Sequence, residues 1–266
     1  MAGDQPTVAA TFDERAGNYS RNEWHRCYAE QLVAQASLQT GQHVLDAGVG
    51  TGFAAAAIAR AVGSAGRVVG VDVSQGMLDR ARAALDAFDM AWVELRQADA
   101  TDLRDVPEKA FDAVICSAAL LYMPVDEALA EWRRLLKPGG IVAFSTMQPG
   151  SPRAGALFRQ CARAFGVVLE DPSEPLGSVD ACRRALDRAG FGDIHVVPGH
   201  VELSAADLAL AWDANLRSAA HGAVRVLGEA DLDLLRRQYE ALLSAVPDGQ
   251  EYSVERAAVL YAFGRR

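Results

Sequence analysis

The chain predicts an α/β fold: an open, doubly wound sheet of mostly parallel strands with helices on both faces. Short apolar runs recur at Val44–Leu45, Arg67–Val71, Trp92–Arg96, Phe111–Ser117 and Ile141–Ser145, and segments of helical spacing separate them. The first run ends in Asp46 and breaks into Gly48, Gly50 and Gly52 before an Ala-rich helical stretch. A strand, a tight turn and a helix N-terminus in that order are where open α/β sheets hold nucleotide-like ligands. The chain has 266 residues, 50% of them hydrophobic. That is enough for a full core, and it favours one domain with an insertion over two.

Each element follows from local chemistry. Residues 1–40 read as a helical cover, with Cys27, Tyr28, Leu32 and Val33 at helical spacing between Trp24 and Leu38. Gly48 and Gly50 let backbone approach a ligand where a Cβ would clash, and Gly52 lets helix pack on strand. The second strand ends in Asp72, an acid placed to accept hydrogen bonds from both hydroxyls of a ribose. Ser74 then reads as the N-cap of the next helix. The third strand leads into Gln97-Ala98-Asp99-Ala100 and the fourth ends at Ser117. Pro138-Gly139-Gly140 turns a helix end into the fifth strand, closing a core over 41–147.

Beyond it, 148–178 is a punctuated lid segment with a helix from about 153 to 165 and the polar stretch Glu170–Pro175. Residues 179–266 complete the core. Val179–Ala189 forms a helix with Gly190 as its C′ residue, Ile194–Val197 a sixth strand, and Val254 onward a seventh. Between those strands, an insertion at about 203–250 holds two expected helices, Ala205–Ala220 and Glu229–Ala245. A hairpin would join the strands, so the insertion reads as a substrate cover, with a dimerisation element or simple decoration as the alternative.

The series Val44-Leu-Asp-x-Gly-x-Gly-x-Gly52, Val71-Asp-x-Ser74, Asp99-Ala100, Phe111-Asp-x-Val114 and Leu136-Lys-Pro-Gly-Gly140 resembles the class I methyltransferases that use S-adenosylmethionine. Phe12-Asp-Glu-Arg-Ala-Gly-Asn-Tyr19 is similar to their ubiquinone/menaquinone-biosynthesis-like branch. The resemblance spans about residues 12 to 146 and recovers near the C-terminus, so it does not carry substrate identity. It implies a Rossmann-like, seven-stranded sheet whose last strand is antiparallel, with helical lid insertions.

The resemblance also implies roles. Gly48, Val49, Gly50 and Gly52 line the methionine and ribose portions of S-adenosylmethionine; Val49 replaces a more usual Cys, Ala or Pro, which a backbone contact tolerates. Asp46 braces the glycine turn. Asp72 binds the ribose diol, and Val73 and Met77 pack on the adenine. Asp99 accepts from the adenine amine while the Ala100 amide donates to the ring. Tyr19 reaches over the cofactor carboxylate, and Ser117 sits near the transferring methyl. S-adenosylhomocysteine is the product.

A dinucleotide fingerprint wants G-x-G-x-x-G, whereas the spacing here is G-x-G-x-G with an acid two residues before the first glycine. Gly63, Gly66 and Gly70 read as turn and packing glycines, and Asp102 and Asp105 as solvated loop acids. The net charge of -9 and scattered basic residues argue against nucleic acid. No run approaches the about 18 apolar residues of a membrane span. Asp4, Asp13 and Glu14 break up any signal-peptide core. Cys27, Cys116, Cys161 and Cys182 lack metal-ligand or redox spacing, so reduced thiols and no metal are expected. A cytoplasmic monomer or homodimer acting on a small molecule follows.

The chemistry so implied is an in-line displacement, for which alignment alone supplies about 7–11 kcal/mol. A general base adds about 10²–10⁴-fold for a hydroxyl or enol acceptor. His25, in the N-terminal helix near Tyr19, is the first candidate, with Tyr122 and His221 behind it. His43 begins the first strand on the wrong side, and His195 and His200 read as surface residues. O-methylation of a small, partly hydrophobic molecule in secondary metabolism or quinone-type biosynthesis is the reading. Its alternatives are a methyltransferase-fold enzyme with another reaction, such as cyclisation, and a non-catalytic cofactor-binding protein.

Overall fold

A computed structural model describes residues 7–19, 23–245 and 254–266. The chain runs α1 (Val8–Tyr19), α2 (Glu23–Gln35), β1 (His43–Ala47), α3 (Phe53–Val62), β2 (Arg67–Asp72), α4 (Gln75–Asp86), β3 (Val93–Gln97) and β4 (Phe111–Ser117). It continues through α5 (Val125–Leu135), β5 (Leu136–Met147), α6 (Arg153–Ala164), α7 (Val179–Arg188) and β6 (Gly192–Ser204). The insertion holds α8 (Ala205–Ala209), α9 (Ala211–Leu216) and α10 (Glu229–Ser244), and β7 (Val254–Arg265) closes the chain.

The strands form one seven-stranded sheet in the order β3-β2-β1-β4-β5-β7-β6. β1 is central and buried beyond His43, so it reads as an apolar run rather than an alternating one. It pairs in parallel with β2 (Val44 opposite Val68) and with β4 (Val44 opposite Ala113). β7 runs antiparallel to both β5 and β6. The chain proceeds outward from β1 to β3 on one side, then crosses to β4 and β5 on the other. That reversal opens a crevice at the C-terminal ends of β1 and β4. One layer of core packs Leu32, Ile58 and Val62 against the sheet, the other Leu129, Trp132 and Leu186.

Caps formed where expected. The Ser74 hydroxyl accepts from the Met77 N–H at 3.1 Å. Gly190, at φ +79°, ends α7 in a Schellman turn, its N–H donating to the Asp187 carbonyl and the Phe191 N–H to that of Leu186.

Three expectations are corrected. Ala205–Ala220 is not one helix. A Ser204–Asp207 capping box starts α8, the chain breaks at Leu210, and α9 gives way to a 3₁₀ stretch, Ala219–Val226. The sixth strand is Gly192–Ser204, because β7 pairs with it along that whole length and satisfies its backbone. Pro138-Gly139-Gly140 is an irregular, extended part of β5, with Gly139 at φ +77°, rather than a turn before it.

α6, α9, α10 and the 3₁₀ stretch share a core of their own around Phe158, Trp212, Val224 and Tyr239. Asp4, the link Ser20–Asn22 and the end of the 203–250 insertion lie outside the described residues.

Candidate active site

The loop after β1 is held by backbone before any ligand arrives. The Gly48 and Val49 N–H groups both donate to the Val71 carbonyl at 2.9 Å. Gly48 lies at φ +81°, and a Cβ there would stand 2.4 Å from the Ala119 Cβ, so the loops after β1 and β4 touch. Gly52 at φ +91° brings α3 against Ala81 of α4, where a Cβ would approach its Cα to 3.3 Å.

Asp72, at the end of β2, ties this turn to the next. Its Oδ2 accepts from the Gly50 N–H and its Oδ1 from the Ser74 N–H, each at 2.9 Å. Burial raises its pKa, and those N–H groups pull it back. Asp13 of α1 pins the N-terminal helix to the same place, its Oδ1 accepting from the Ser74 hydroxyl at 2.6 Å and the Gly76 N–H at 2.8 Å. Asp99 Oδ1 accepts from the Thr101 N–H and hydroxyl at 2.8 and 2.7 Å.

These turns and α1 enclose a cavity of about 310 Å³, at the small end of ligand pockets. Tyr19, Gly48, Gly50, Asp72, Val73, Met77, Asp99, Ala100, Ser117 and Tyr122 line it. Gly52, Val49 and Asp46 do not: Gly52 packs helices, and Val49 lines a small side pocket of about 50 Å³ with Tyr28, Thr51 and His25. Asp46 is wholly buried behind the loop, with no hydrogen-bond partner for either carboxylate oxygen among the described residues. Burial, with Asp72 nearby, pushes its pKa up to about 8, although the Ala55 N–H faces it from the first turn of α3.

A second cavity, about 170 Å³, adjoins the first and shares Tyr19, Ala118 and Tyr122 with it. Its walls come from α1, α2, the 148–178 segment and the insertion, and all three candidate bases line it. The His25 ring lies parallel to Tyr19 at 4.6 Å and against Trp24 at 3.9 Å. Burial depresses its pKa to about 3, and its Nδ1 has no partner among the described residues. His221 stacks on Phe158 at 5.1 Å, with Nδ1 3.0 Å from the Asn215 carbonyl. That leaves Nε2 as the unprotonated nitrogen, and burial lowers its pKa to about 4. Tyr19 is pushed up to about 12 by burial and keeps its phenolic proton.

Sequence reasoning missed Phe12 and Arg15, which join Tyr19 at the two cavities. Their spacing on α1 carried the signal, since positions three and seven apart share a helix face. Arg159 and Asp171, a mostly buried ion pair in the second cavity, fall where no pattern marks them. Among the described residues, no group of His, Cys, Asp and Glu is arranged to hold a metal ion, and no helix is long and apolar enough to cross a membrane.

A methyltransferase-domain family matches residues 44–140. The chain is 32% identical over 209 residues to the demethylmenaquinone methyltransferase of Staphylococcus saprophyticus, covering 71% of this chain and 86% of that protein. The YcgJ protein of Bacillus subtilis superposes with a TM-score of 0.59 at 18% identity, over 90% of this chain and 98% of that one. A phosphoethanolamine N-methyltransferase of Haemonchus contortus, solved with S-adenosyl-L-methionine, does so with 0.53 at 19%, over 89% and 52%.

Proposed function

The chain belongs to the class I S-adenosylmethionine-dependent methyltransferases of the quinone-biosynthesis type, and we propose that it O-methylates a small, partly hydrophobic hydroxyl or enol compound seated in the second cavity. Methylation of a small molecule is the activity its relatives share. That kinship disfavours both cyclisation and a purely binding role.

The observation that carries the proposal is the meeting of two cavities at Tyr19, Ala118 and Tyr122. S-adenosylmethionine, when bound, supplies an electrophilic methyl on a sulfonium sulfur. The first cavity suits it chemically. Asp72 keeps acceptor capacity for a diol beyond its two N–H partners, and the Asp99 carboxylate keeps an oxygen for an exocyclic amine. Val73 and Met77 offer apolar faces to a base, and Gly48, Gly50 and Ser117 line the same cavity. Val49 and Gly52 then support the loop from behind. No metal is needed, and the acidic balance disfavours nucleic acid as acceptor.

His25 is the proposed base. It lines the second cavity and the side pocket next to Ser117 and Ala118, so it stands near the junction, and burial keeps its ring neutral at pH 7. Stacking on Tyr19 fixes its ring. His221 and Tyr122 orient the acceptor from other walls. The 148–178 segment and the insertion cover the site and exclude water.

The test is transfer of labelled methyl from S-adenosylmethionine to paired naphthols, hydroquinones and aryl amines. Labelled ethers are expected. Label appearing only on nitrogen or carbon would refute O-methylation.

A further inference from the structure

Arg15 lines the second cavity and the outer groove beside it, but neither the first cavity nor the side pocket. Its guanidinium carbon lies 5.3 Å from the ring centroids of both Phe12 and Tyr19, cation–π contacts that hold the head group in place. Among the described residues no carboxylate oxygen comes within 4.0 Å of it. Glu14 and Asp213 share the outer groove without pairing to it.

The other charged groups of the second cavity already have polar partners. Arg159 pairs with Asp171, at 15% and 17% side-chain exposure. Asp207 accepts from the Ser204 N–H and hydroxyl at 2.9 and 2.7 Å. His25 and His221 are neutral. The formal charges lining the cavity balance, Arg15 and Arg159 against Asp171 and Asp207, and Arg15 is the one among them with neither an ion-pair nor a hydrogen-bond partner among the described residues. A guanidinium held in place without a polar partner is set to receive an anion that enters the cavity.

Resting on the function proposed above, we propose that Arg15 binds a carboxylate carried by the methyl acceptor, so that the acceptors are hydroxylated aromatic acids rather than neutral phenols. The planar guanidinium matches a carboxylate with two parallel hydrogen bonds. Trp24, Tyr122 and Tyr19 wall the same cavity and take the aromatic body. Arg15 selects the acceptor; it does not touch the donor cavity.

The test measures binding of 1-hydroxy-2-naphthoate and its neutral amide, 1-hydroxy-2-naphthamide, to the full chain saturated with S-adenosylhomocysteine. The naphthoate is expected to bind about 10- to 100-fold more tightly than the amide. Arg15→Met should erase that preference and Arg15→Lys keep part of it. Both variants should retain the wild-type affinity for S-adenosylhomocysteine, which also reports their folding. Equal binding of the two probes by wild type overturns the inference and leaves the O-methylation proposal standing. So does a preference that survives Arg15→Met, or a loss of S-adenosylhomocysteine affinity in both variants. Failure of wild type to bind either probe overturns the placement of the acceptor and the inference together.

Discussion

Asp46 gives a stability prediction whose sign and size follow from its burial. It is 0% exposed, unpartnered among the described residues, and burial lifts its pKa to about 8 in the fold, far above the ordinary carboxylate range. A pKa raised by folding means that the native state binds the proton more tightly than the unfolded chain. Its contribution is complete below the unfolded value and is lost as pH rises through the folded one. Within that window the loss is about 1.4 kcal/mol per pH unit. Asp46→Asn keeps the shape and has no proton to lose. The variant should therefore gain on wild type by roughly 3–4 kcal/mol between pH 5 and pH 8. His25 and His221, whose pKa values are depressed, contribute stability above the unfolded histidine value that is lost as pH falls. They do so in both proteins and cancel in the difference. Urea denaturation of both proteins at pH 5, 6, 7 and 8 reads the difference directly. A stability difference that stays flat across that range would refute the argument that Asp46 is a desolvated, unpartnered acid.

Six further outcomes are expected. Gly48→Ala, with φ +81° and a Cβ 2.4 Å from that of Ala119, should cost about 2–4 kcal/mol in denaturant unfolding. Gly50→Ala, with nothing within 4 Å, should cost about 1–2 kcal/mol. Asp72→Ala should weaken S-adenosylhomocysteine binding by about 100-fold in calorimetry, because it removes diol acceptors and frees the Gly50 and Ser74 N–H groups together. His25→Ala should lower kcat, by less than a base titrating near neutrality would because burial holds its pKa at about 3, with S-adenosylhomocysteine affinity unchanged. In wild type the His25 ring should show no NMR titration between pH 5 and pH 8. S-adenosylhomocysteine should slow protease cleavage across 148–178 and 203–245; unchanged cleavage would mean that these segments do not close over the site.

The sheet was legible because a buried parallel strand writes itself as an unbroken apolar run, and β2 and β4 end in Asp72 and Ser117, which face the crevice. Asp72, Asp99 and the glycines announce themselves for the same reason: backbone geometry demands those residue types at those places. The insertion was less legible. Its helical spacing runs through Leu210, where nothing in the residue type forbids helix, and the break comes from packing Trp212 into the small core with Phe158 and Tyr239. The length of β6 was hidden because Pro198 and Gly199 within it are poor strand formers whose pairing is imposed by β7. Asp46 was legible as a residue but not as an energy, since its cost depends on N–H groups that the fold places almost, but not quite, within reach.

The N-terminal helix is the element that makes one site of two cavities. Phe12 and Tyr19 close the first, Arg15 and Tyr19 wall the second, and Asp13 fastens the helix to the start of α4 through Ser74 and Gly76. The N–H of that same Ser74 donates to Asp72. Docking of α1 and organisation of the Asp72 carboxylate therefore share a residue. Asp13→Ala should accordingly weaken S-adenosylhomocysteine and acceptor binding together, even though Asp13 lines neither cavity. Arg15→Met, which leaves that anchor intact, should affect the acceptor alone. Measuring both affinities in both variants separates the two roles, and equal effects on both ligands in both variants would mean that α1 moves as a loose flap rather than as an anchored wall.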